Sequence, residues 1–90
     1  MKVRIHSFIK GTIHDGGFSE AVKGAAVHLG INGRMKHLPD RRVEVIAEGE
    51  KHTLEEFLEE IRYGEVASQI TDIQTTWEEA TGEFSGFLVR

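Results

Sequence analysis

Cysteine is absent from the 90-residue chain. That excludes a disulfide framework, a thiolate metal site and a cysteine nucleophile together. Proline occurs once, at Pro39, and no linker or low-complexity stretch interrupts the chain. Long apolar runs are missing too, so no transmembrane helix is expected. The opening Met1-Lys2-Val3-Arg4-Ile5-His6 alternates charged and apolar residues and lacks the apolar stretch of a secretory signal. A cytoplasmic location and no membrane partner are the expectations. What is present, 39% hydrophobic and 29% charged residues in 10.1 kDa, is the composition of one small globular core. Residues 1–90 therefore read as a single domain.

The net charge of −4 hides a split. Up to Arg42 there are eight Lys/Arg against three Asp/Glu, or +5; from Val43 on there are three against twelve, or −9. The basic half suggests a side that faces small anions, while the acidic half argues against a nucleic-acid partner. Glu55, Glu56, Glu59 and Glu60 read as the solvated face of one helix.

Val3, Ile5, Ser7 and Ile9 alternate with Lys2, Arg4, His6 and Lys10, the pattern of a strand. A glycine-rich loop over residues 11–17 follows. Helical spacing of Val22, Ala25, Ala26 and Leu29 predicts a helix over 18–29, stopped by Gly30. A weaker strand is predicted over 31–38, a turn at Pro39-Asp40, and a strand over 42–48. Thr53 with Glu56 has capping-box spacing and predicts the start of a second helix, whose stripe is Leu54, Phe57, Leu58 and Ile61 and whose end is Gly64. Strands are predicted over 68–77 and 84–89. The expected core contains Val3, Ile5, Val22, Leu29, Val43, Val45, Phe57, Leu58, Ile61 and Ile73. Trp77, Phe84 and Phe87 read as core and sheet-edge packing. An RNA-binding module of similar topology would stack bases on sheet aromatics, but the first and third strands supply only Phe8.

The order strand, helix, strand, strand, helix, strand, strand places two helices on one face of a five-stranded sheet. The expected class is α+β, an α/β sandwich: a ferredoxin-like βαββαβ fold plus a C-terminal strand.

Four segments give the chain a closer likeness. They are Gly11-Thr12-Ile13-His14-Asp15-Gly16-Gly17-Phe18, the run from Asn32 to Asp40, Arg42-Val43-Glu44-Val45-Ile46-Ala47-Glu48-Gly49, and Thr81-Gly82-Glu83-Phe84-Ser85-Gly86-Phe87. In their order and spacing the chain resembles the acylphosphatases, small enzymes that hydrolyse the carboxyl–phosphate bond of acyl phosphates. The resemblance covers essentially the whole chain. It implies an anion-binding loop of His14, Asp15, Gly16, Gly17 and Phe18, with backbone N–H groups cradling phosphate at the start of the first helix. No cofactor is implied, and a monomer acting on a small anion or acyl phosphate is expected.

The same resemblance puts Ser19 where the family carries its phosphate-clamping arginine, and His37 where it carries the asparagine that positions water. His14 stands for the loop glutamine and Asp15 for a loop glycine. Ser19 offers a hydroxyl but neither a charge nor a bidentate fork. A like charge at Asp15, near 5 Å from a phosphate at an effective dielectric near 20, costs on the order of 3 kcal/mol. Loss of the arginine costs about another three to five decades in rate, judged from arginine fingers elsewhere. The expectation is a domain with little or no acyl phosphate hydrolysis. The alternative is an active hydrolase working through substitute residues. Lys10, Lys23, Arg34 and Lys36 are the cations of the basic half available to help. Nothing indicates an oxyanion hole aligned to Ser19 for a Ser19–His37–Asp15 hydrolytic trio, and no spacing motif supports a metal held by His14, Asp15 and His37. Helix capping by Asp15 or Ser19 and surface histidines are the expected reading.

Overall fold

The protein is seen in a computed structural model. The structure describes residues 1–90 except His14; of Asp15 and Gly16 it describes the backbone alone. The elements run β1 (Lys2–Gly11), α1 (Asp15–His28), β2 (Asn32–His37), β3 (Val43–Glu50), α2 (Lys51–Tyr63), a 3-10 turn (Ala67–Gln69), β4 (Ile70–Glu79) and β5 (Phe87–Val89). The sheet order is β4-β1-β3-β2-β5. β1 pairs antiparallel with β3 and β4, β2 antiparallel with β3, and β5 parallel to β2. The architecture is the expected one: two helices on a five-stranded mixed sheet.

Period-two alternation decides what is buried. Ile5, Ser7 and Ile9 of β1, Gly33 and Met35 of β2, and Val43, Val45 and Ala47 of β3 turn to the helices. Phe18, Val22 and Ala26 of α1 and Leu54, Phe57 and Ile61 of α2 meet them in one cluster. Every residue of the expected core lies in this cluster or packs partly buried against it.

Element boundaries differ from the expectation in instructive ways. α1 begins at Asp15, so Gly16 and Gly17 belong to its first turn and not to the loop. No capping box opens α2: Glu50 is its N-cap without a side-chain bond, and Thr53 is already inside the helix. The reason is the β1–β3 ladder, which continues to Lys2↔Glu50 and hands the chain to the helix without a loop. β4 starts two residues late because 67–69 turn as a 3-10 helix, and it runs on to Glu79 opposite Val3. Only Phe87–Val89 of the last predicted strand joins the sheet. Phe84 lies before it, in a segment held by side chains and not by ladder bonds.

Candidate functional site

The loop starts where β1 leaves the sheet. The register with β4 shifts between Lys10 and Gly11, bringing Gly11 opposite Ile70. A Cβ on Gly11 would fall 1.8 Å from the Gln69 carbonyl oxygen. Only glycine fits that approach, which lets the chain turn from the strand through Thr12 and Ile13 towards α1.

The first backbone N–H groups of α1, at Asp15, Gly16, Gly17 and Phe18, have no carbonyl of the helix to bond. A Cβ on Gly17 would meet nothing within 4 Å, so space is open beside that turn. The Phe18 side chain is fully buried in the core; its contribution to any anion is its amide. Ser19 follows, half-buried, with no side-chain hydrogen bond among the described residues. His14 lies outside the described residues, and the expected anion contact of the Asp15 side chain does too.

His37 ends β2, exposed and in register with Val43, which in turn faces Ile9. These three share the helix-side face, so the sheet carries His37 to the end from which β1 delivers its loop. β1 and β2 are separated by β3, about 10 Å across two strand spacings. The topology therefore brings the loop, the first turn of α1 and His37 to one end of one face. Among the described residues, no hydrogen bond joins Ser19 to His37 and no group of three His, Asp or Glu is placed to hold a metal.

The expected helper cations are elsewhere. Lys10, Arg34 and Lys36 alternate onto the face opposite His37, and Lys23 is exposed on α1. Arg34 is engaged with Glu44 at 3.3 Å, and Glu44 also meets His6 Nε2 at 2.7 Å. Burial pushes the Glu44 carboxyl up, but the His6 hydrogen bond and the Arg34 charge outweigh it and hold the group below its ordinary value. Arg42 bonds Asp40 at 2.7 Å and stacks on Phe8, 4.6 Å from the ring centre. The Arg42 amide and then its guanidinium hold Asp40 below the usual carboxylate range.

One feature at this end escaped the sequence reading. Lys10, Gly11, Asp40, Arg41 and Arg42 line a cleft of about 480 Å³ beside the strand ends. Arg41 carries a left-handed backbone, φ 72°. The signal was the tight hairpin after Pro39-Asp40: a three-residue connection places its last residue in that region.

An acylphosphatase family model matches residues 5–89. An acylphosphatase of Syntrophobacter fumaroxidans is 37% identical over 88 residues, covering 98% of this chain and 91% of its own. One from Thermus thermophilus is 35% identical over 86 residues, covering 96% and 97%. Among solved structures, the crystal structure of acylphosphatase from Bacillus subtilis superimposes with a TM-score of 0.89 at 27% identity, covering 98% of each chain.

Proposed function

The chain belongs to the acylphosphatase family, and we propose that it is a single acylphosphatase-like domain, residues 1–90, with little or no acyl phosphate hydrolysis. The observation that carries this is the placement of Ser19 and His37. Both stand at the end of the fold where the first-turn amides of α1 have no helix carbonyl to bond, yet neither supplies the fixed, forked cation that phosphoryl chemistry uses. The strand cations Lys10, Arg34 and Lys36 are on the opposite sheet face and Arg42 is engaged with Asp40, which leaves Lys23 on α1 and Arg41 in the hairpin, both without a carboxylate partner among the described residues.

What persists is an anion cradle of backbone donors at the helix N-terminus. It holds a small anion such as phosphate or an acyl phosphate weakly, with Kd near 1 mM, about −4 kcal/mol. The domain works without cofactor, as a monomer, in the cytoplasm.

Restoring the missing groups tests the reading. Ser19→Arg, His37→Asn and Asp15→Gly together raise acetyl phosphate hydrolysis by several decades, far more than any single change, because such groups act as a unit. A triple variant no faster than the parent rejects the reading, and so does a parent that loses its rate when His37 alone is replaced. The second outcome would establish hydrolysis through substitute residues.

A further inference from the structure

A groove of about 740 Å³ opens to solvent between α1 and α2. Its floor is apolar and built of small groups: Ala21, Gly24 and Ala25 from α1, with Ile61 and Val66 beneath. A Cβ on Gly24 would meet nothing within 4 Å, so the two helices leave a channel that a third element can approach closely. Tyr63, 73% exposed, stands on the wall, an apolar ring with a polar tip of the kind that anchors partners.

The rim decides what fits. Glu20, Glu56, Glu59, Glu60 and Glu65 border the groove with His28, and among the described residues none of these five carboxylates forms an ion pair. Within α2, Glu56 opposes Glu60 at i,i+4 spacing, while Arg62 is the one cation of the last turn. Like charges gathered round an apolar floor are relieved by a cationic partner. The lining runs from Glu20 to His28 on α1 and from Glu56 to Tyr63 on α2, about 12 Å, the reach of a helix of two to three turns. An extended polycation would satisfy the rim and leave the floor wet.

We propose that this groove docks a Lys/Arg-flanked amphipathic helix of a partner protein, its small apolar stripe on Ala21, Gly24 and Ala25 and its cations against the five carboxylates. The docking goes beyond the catalytic reading, and acetyl phosphate turnover plays no part in its test.

The full chain, labelled with 15N, is titrated with an amidated 14-residue helix bearing an Ala/Leu stripe flanked by Lys and Arg. A second peptide has the same stripe flanked by Glu. The basic peptide shifts the amides of Ala21, Gly24, Ala25 and Gly64, and binds at least tenfold more weakly at 500 mM than at 50 mM salt. Glu56→Gln, Glu59→Gln and Glu60→Gln together weaken it at least tenfold while preserving the helix. Gly24→Leu fills the floor with charge unchanged and weakens binding as well. No shift up to millimolar basic peptide overturns the proposal, as do equal binding of the Glu peptide or shifts confined to the outer sheet face. Charge dependence with full tolerance of Gly24→Leu reduces the groove to an acidic surface and also overturns it. A concentration-dependent dimer of the chain that the Gln variant abolishes would assign the groove to a second copy instead.

Discussion

Arg41 shows how a single residue can be held where its backbone is least content. Leu38 N–H donates to the Arg42 carbonyl at 2.8 Å and Arg41 N–H to the Leu38 carbonyl at 3.0 Å, closing the hairpin around Pro39, Asp40 and Arg41. The third position then needs φ near +70°, and Arg41 adopts 72°. A non-glycine residue there costs about 1–2 kcal/mol. Arg41→Gly returns part of that strain against glycine's greater unfolded-state entropy, for a net gain of about 0.5–1 kcal/mol. A thermal midpoint several degrees higher is expected; a lower one would mean that the arginine side chain holds the turn. At the same scale, the free amides of the first turn predict how phosphate binds. Amide shifts concentrate at Gly16, Gly17, Phe18 and Ser19 and half-saturate near 1 mM. Low-micromolar saturation, or shifts confined to residues past Val43, would place the anion elsewhere.

Between elements, the clearest tie is the one that fastens the C-terminal segment to β1 and β3. Glu48, 5% exposed, accepts from Arg4 Nε at 2.8 Å, the Thr81 amide at 2.9 Å and the Gly82 amide at 3.0 Å. Gly82 supplies the left-handed turn, φ 75°, that aims these amides at one carboxylate. Arg4 also reaches Glu83 at 2.6 Å and lies over the Phe84 ring. Burial pushes the Glu48 carboxyl up, but the amides and the guanidinium outweigh it, so its pKa lies below the ordinary 4.5. A carboxylate with a depressed folded pKa contributes stability that is present above the unfolded value and is lost as pH falls through the folded one. Urea unfolding therefore shows stability falling from about pH 4.5 downwards, and in Glu48→Gln that fall is shallower. At neutral pH the variant is destabilised by about 2 kcal/mol, because the Thr81 and Gly82 amides and Arg4 Nε lose a charged acceptor while Arg4 keeps Glu83. An unchanged midpoint would mean that the segment is held by Phe84 and Phe87 packing alone. The tie also explains why the run Thr81 to Phe87 carried so much of the family likeness: it is scaffold. Periodicity revealed the strands and helices because one face of each is buried. It misplaced the start of α2 because a ladder bond to Lys2, distant in sequence, outweighed the local capping signal at Thr53. It missed the early start of α1 because Gly16 and Gly17 read locally as loop.

Across the whole molecule, the split of charge along the sequence turns into a split between surfaces, though not the one that halving the chain suggests. The cations of the first half that lie on strands, Lys10, Arg34 and Lys36, alternate away from His37 onto the outer sheet face. Three of the four carboxylates of α2, Glu56, Glu59 and Glu60, gather at the helix groove. The end of the fold that holds Ser19, His37 and the first turn of α1 is thus left without a cation on His37's sheet face among these. Strand parity, which a sequence read by halves does not reveal, is what turns Lys10, Arg34 and Lys36 away from His37. The central claim is that an acylphosphatase fold with serine and histidine at these positions hydrolyses acyl phosphates poorly. Its most direct test is kcat/KM for acetyl phosphate, measured side by side with a relative that carries arginine and asparagine there. The account predicts a value lower by at least about a thousandfold; a value within tenfold of the relative would contradict it.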